Sequence, residues 1–141
     1  MSYQEDGWGA GMAHFIVVTS HEGPFTPEFL EQPLPDPAMF GMPTEDDGNR
    51  TDPLLGQNMI TCTHYEPDVA ALQSASTEIV VAAGEKSGQQ LASRGADALA
   101  DRLGLELVLF PGDHGGFLGG EYGQMGEPDA FGAKLRDVLA S

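Results

Sequence analysis

Apolar residues fall along this chain in two rhythms, one of strands and one of helices. Residues 78 to 83, EIVVAA, run apolar without alternation and stop at Gly84, which predicts a short strand buried on both faces. From Ser87 to Leu103 the period changes: Leu91, Gly95, Leu99 and Leu103 share one helical face, while Arg94, Asp97 and Asp101 lie elsewhere. Ser87 with Gln90 predicts a capping box at the start of that helix, and Gly104 a left-handed cap at its end. Residues 105 to 110 form a second short apolar run. Strand, helix and strand within about thirty residues is the pattern of a right-handed parallel crossover. Pro128 in a first-turn position, with Phe131, Leu135, Val138 and Leu139 at helical spacing, predicts a closing helix over 128 to 140.

The pattern before residue 66 is less regular. Trp8, Met12, Phe15, Ile16 and Thr19 suit a helical face, although Phe15-Ile-Val-Val18 also has strand propensity; helix is the favoured reading. Residues 22 to 49 hold most of the prolines and the cluster Glu45-Asp46-Asp47, which predicts a long surface excursion. Thr51-Asp52-Pro53 marks a helix start, with Leu55, Met59 and Cys62 along one face toward Tyr65, so a helix is expected over 53 to 65. Two parallel strands alone leave both outer edges unpaired. Residues 12 to 18, a second copy, or another polypeptide must extend the sheet.

Composition narrows the partners. Against 22 acidic residues stand 6 basic ones, a formal charge of -16 that repels phosphate backbones and anionic lipid, so neither nucleic acid nor membrane is expected as a partner. No apolar run reaches the length of a membrane span, and MSYQEDGWGAG lacks the basic start and apolar core of a secretory signal. With one cysteine, Cys62, and hence no internal disulfide, a cytoplasmic location is expected.

The order EIVVAAGE (78 to 85), crossover helix, LELVLFPGDHGGF (105 to 117) and closing helix resembles the last third of the α/β-hydrolase fold, where the loop after the last strand carries the catalytic histidine. Tyr65-Glu-Pro-Asp-Val-Ala-Ala-Leu72 resembles the segment that returns from that family's helical lid into the penultimate strand. The resemblance covers 65 to 141; residues 8 to 64 are similar to a lid only in composition and position. It implies an α/β fold class: residues 67–141 as a partial hydrolase-like unit of two parallel strands with crossover and closing helices, preceded by a helical lid-like segment over 1–66.

It also implies that His114 is a general base, on a loop to which Gly112, Gly115 and Gly116 give room. Without that context a solvated turn histidine is the ordinary reading. The family's acid stands three residues after the glycine closing the penultimate strand, which here is Ser87. Glu85 is the nearest carboxylate substitute, weighed against a solvated turn glutamate, and Asp113 ranks below it. No G-x-S-x-G elbow occurs in the 141 residues. The implied function is therefore a hydrolase of a small ester-like or acyl substrate whose serine nucleophile comes from outside this chain. The alternative is a non-catalytic ligand-binding or oligomerising module derived from a hydrolase. No cofactor or metal is implied; the partners are a small-molecule substrate or ligand and a second copy or complementing chain.

Trp8, Met12, Phe15 and Met59, with Phe117 on the histidine loop, are candidate substrate-binding residues, although apolar stripes more often bury into a core. Cys62, His64 and Glu66 at i, i+2 and i+4 do not share a helical face, which disfavours zinc, and a core thiol is the expected role for Cys62. The run TEDDGNRTD lacks calcium-loop spacing and reads as solvated surface. His14 and His21 frame an apolar run with no acid beside them, and neither is assigned a role.

Overall fold

The computed structural model describes residues 2 to 140, with Tyr122 described by its backbone alone. Helices cover about half of the chain, and the described strands form one small parallel sheet, an α/β arrangement. The chain divides into two compact units, one up to Pro67 and one from Asp68 on.

The first unit opens with α1, Ser2–Ser20, so residues 12 to 18 are helical and add no strand to the sheet. The helix is broken at Gly7, whose φ of 88° and ψ of -173° lie where a side chain is strongly disfavoured. Its buried positions are Ser2, Tyr3, Gly7, Gly9, Gly11 and Ala13, whereas Trp8, Met12, Phe15 and Ile16 are half-buried. Small residues, not the large apolar stripe, thus make the closest contacts of α1. Residues 21 to 53 are mostly irregular, carrying only a short helix α2, Pro27–Leu30, and a 3-10 turn, Pro37–Phe40. The helix expected over 53 to 65 is present as a π-helical turn, Leu54–Asn58, running into α3, Met59–Thr63. Asp52 Oδ1 accepts the Leu55 N–H at 2.9 Å, giving that element its N-terminal cap. Cys62 is exposed, not a core thiol.

Arg50 ties this unit together. Its guanidinium makes two parallel hydrogen bonds to Asp46 (2.8 and 2.7 Å), donates from Nε to the Gln4 carbonyl at 3.1 Å, and lies 5.8 Å over the Tyr3 ring. That bond and the Gly48 N–H hold the Asp46 carboxyl down to about 2. The acidic cluster Glu45-Asp46-Asp47 is exposed, as expected, with Asp46 paired to Arg50 at the surface.

In the second unit, α4 (Val69–Ser74) is capped by Asp68, whose Oδ1 accepts the Ala71 N–H at 3.0 Å. The strands are β1, Ala82–Gly84, and β2, Val108–Phe110, paired in parallel with Ala82 opposite Val108 and Gly84 opposite Phe110. Between them runs α5, Leu91–Leu103, starting later than its sequence suggests. Gln90 occupies the cap position without a side-chain cap bond, and Ser87 is instead buried in the turn after β1. Gly104 ends α5 in the left-handed conformation, with the Leu105 N–H donating to the Ala100 carbonyl at 3.0 Å. Finally α6, Pro128–Leu139, starts at its proline and sets Phe131 4.9 Å from the Phe110 ring and 6.0 Å from the Phe117 ring.

The strands differ from the expected pair buried on both faces. Residues opposite one another in a parallel ladder share a face, so Val80, Ala82, Val108 and Phe110 lie on one side and Val81, Ala83 and Leu109 on the other. α6 packs on β2 and buries Phe110; α5 packs on β1, where Val81 is buried. Val80 and Ala82 on the first face, and Leu109 on the second, stay exposed. Each strand is covered on one side only, and the described sheet ends at β1 and β2.

Candidate functional site

The carboxyl ends of the strands carry the histidine loop. The turn after β1 is stitched to the segment after β2 by two backbone bonds, Glu85 N–H to the Phe110 carbonyl at 2.8 Å and Lys86 N–H to the Gly112 carbonyl at 2.9 Å. Gly84 makes this approach possible. A Cβ there would sit 2.6 Å from the backbone carbonyl of Asp113 and 2.7 Å from Ser87 Oγ, nearer than side chains tolerate. Downstream, the Glu127 N–H donates to the Gly116 carbonyl at 2.7 Å and Lys86 Nζ pairs with Glu127 at 2.7 Å, fastening the loop to the start of α6. Glu127, and to a smaller extent Glu85 and Asp113, raise the Lys86 pKa.

His114 stands exposed on this loop, at the rim of a cavity of about 320 Å³. Phe110, Phe117, Phe131 and Leu135 form its apolar wall, and Ala82 and Gly84 its floor. The cavity thus opens at the carboxyl ends of the strands, beside the part of β1 that α6 leaves bare. Crevices at that end of parallel strands are where α/β folds bind ligands. Asp113 also borders the cavity, yet its Oδ1 accepts the Gly115 N–H at 2.8 Å, a local turn bond that occupies one carboxylate oxygen. Glu85 is exposed and does not line the cavity. Among the described residues the His114 ring has no hydrogen-bond partner, so neither carboxylate orients it. Phe117, 57 % exposed, does border the same space.

The remaining candidate binding residues lie in the first unit and separate there. Phe15 and Met59 line a cavity of about 230 Å³, whereas Trp8 and Met12 do not. Its other walls include Val18, Leu55 and Ile60, and one end is polar, where Ser2 Oγ lies 3.1 Å from His14 Nδ1. In a straight helix residues twelve apart stand about 18 Å apart along the axis. The break at Gly7 folds the first turn back, so that Tyr3 lies against Gly11 and Ser2 reaches His14. Tyr3 is fixed in turn by its hydroxyl, which accepts the Asp52 N–H at 3.0 Å. Sequence reasoning assigned His14 no role and did not consider Ser2. The signal for both is the glycine spacing Gly7-Trp-Gly9-Ala-Gly11 inside a helical pattern, which marks a break and a close approach.

Elsewhere, His64 Nδ1 lies 2.8 Å from the Ile60 carbonyl of its own helix, and no group of three or more His, Cys, Asp or Glu side chains able to hold a metal occurs among the described residues. No helix among them is long and apolar enough to cross a membrane. Compared with known protein families, with curated proteins and with solved structures, the chain matches none.

Proposed function

We propose that this chain is an α/β-hydrolase-like piece that acts on a small ester-like or acyl substrate, with His114 as the general base and the serine nucleophile supplied from outside its 141 residues. The observation that carries the reading is the position of His114. Its exposed ring borders an apolar cavity at the carboxyl ends of β1 and β2, beside a strand whose outer edge and one face are uncovered among the described residues. A polypeptide adding a strand to β1 would cover that face and bring its own residues toward the same rim. Neither Glu85 nor Asp113 bonds to the ring in this structure, so the orienting acid would be Glu85 after the loop adjusts or a carboxylate of the added polypeptide. The exposed Cys62 thiol suits a reducing, cytoplasmic setting.

Hydrolysis of p-nitrophenyl butyrate tests this. The chain alone should give no turnover. The chain extended by the codons preceding Met1 in its gene, through a G-x-S-x-G elbow, should turn over and lose that activity on His114→Ala or on treatment with a serine-directed inhibitor. Sustained turnover by the chain alone that survives both treatments overturns the reading.

A second reading, a non-catalytic module that associates through its sheet edge, is favoured by one observation: β1 and β2 each keep an unpaired edge among the described residues. Sedimentation separates the two, because self-association through β1 makes a dimer at micromolar concentration that a proline at Ala82 abolishes.

A further inference from the structure

The strongest feature outside the histidine loop is the cavity beneath the folded-back start of α1. Its lining is largely apolar, with Phe15, Val18, Leu55, Met59 and Ile60 around it; Ser2 Oγ and His14 Nδ1 stand together on it, and Thr63, also on the lining, already donates its hydroxyl to the Met59 carbonyl at 2.7 Å. Ser2 is only 8 % exposed, so its hydroxyl is held inside the structure and not offered to bulk water.

We propose that this cavity is a binding site for an uncharged, largely apolar small molecule bearing one hydroxyl or carbonyl oxygen, with that oxygen seated on the Ser2–His14 pair. Size comes from volume. An apolar cavity of about 150 Å³ holds benzene, so the 230 Å³ here accommodates a molecule about half as large again. Among the described residues no Lys, Arg, Asp or Glu lines the space, and the one basic ring there, His14, already shares its Nδ1 with Ser2, so a charged ligand would enter without a fixed counter-charge. The Ser2–His14 pair explains the single oxygen. When the serine hydroxyl donates to Nδ1, its oxygen is left to accept from a ligand hydroxyl; when the Nδ1–H donates to the serine, its hydroxyl is left to donate to a ligand carbonyl. The site does not depend on the role given to His114, which stands in the other unit.

The test is an NMR titration of the full chain with 4-ethylphenol and with ethylbenzene, which has nearly the same shape without the oxygen. Saturable shifts at the Leu55 and Ile60 amides are expected with both. 4-Ethylphenol should bind about three- to tenfold more tightly, the worth of one ordinary hydrogen bond. Ser2→Ala should bring the two affinities together, and Val18→Trp, which fills the cavity, should abolish both while the circular dichroism spectrum is kept. Absence of saturable shifts, equal affinities in the unaltered chain, or a preference for the phenol that survives Ser2→Ala overturns the proposal. Any of these leaves the reading of His114 standing.

Discussion

Gly84→Ala tests the physical link between β1 and the histidine loop. The added methyl would lie 2.6 Å from the carbonyl carbon and oxygen of Asp113 and 2.7 Å from Ser87 Oγ. Relief requires the 113 loop to retreat by roughly 0.8 to 0.9 Å, the distance back to the near edge of ordinary contact. That retreat strains the Glu85 and Lys86 backbone bonds that join the two turns. Because the obstruction is backbone and not a flexible side-chain tip, the cost belongs with overpacked cores, about 2 kcal/mol. For a domain of this size that lowers the melting temperature by about 8 to 16 °C. Gly95→Ala is the matched control, an exposed position inside α5 with nothing within 4 Å of the new methyl. It should stabilise by about 0.5 to 1 kcal/mol through helix propensity alone. Thermal denaturation followed by far-ultraviolet circular dichroism reads both. A Gly84→Ala protein that melts with or above the unaltered chain would refute the close approach of the loop to β1.

Three further outcomes follow from the packing and charge. The Asp46 carboxyl, held at about 2 against an ordinary value of 3.8, is lowered on folding; its stabilisation of the first unit is complete above the ordinary value and lost as pH falls through about 2. An acid titration of Trp8 fluorescence should show that loss, and Arg50→Ala should move the Asp46 carboxyl back toward 3.8 by NMR. Phe131→Ala removes the ring that meets both Phe110 and Phe117 and should cost about 3 kcal/mol in urea denaturation, since half-buried Phe131 abuts an existing cavity and sits at the low end for such truncations. Along β1, the Val81 carbonyl and Glu85 N–H face β2, so alternation turns the Ala82 N–H to the open edge. In the monomeric chain the Ala82 amide should exchange with solvent far faster than that of Ala83.

The elements that were legible in the sequence are those whose signals are local. In α5 and α6 the apolar spacing, Gly104 and Pro128 each act within a few residues, and the helices stop or start where those residues stand. The apolar runs at 78 to 83 and 105 to 110 marked two parallel strands, although the ladder holds only Ala82 and Ala83 of the first run, together with Gly84 beyond it, and Val108 to Phe110 of the second. Ser87 was misread as a cap because its letter pattern with Gln90 fits a capping box, whereas the turn after β1 buries it beside Gly84. In the first unit the decisive interactions are distant in sequence: Ser2 with His14, Tyr3 with Asp52, and Arg50 with Gln4. No periodicity encodes such pairs. The large residues Trp8 and Met12 drew attention, yet the glycines between them determine which face of α1 is buried.

The most direct test of the claim about His114 is intact-mass spectrometry after treatment with a fluorophosphonate, which marks an activated serine. The 141-residue chain alone should keep its mass. Label should appear only where an elbow-bearing polypeptide is joined to it, at that polypeptide's serine, with His114→Ala slowing the reaction at least about a thousandfold. Stoichiometric labelling of a serine within these 141 residues would contradict the account.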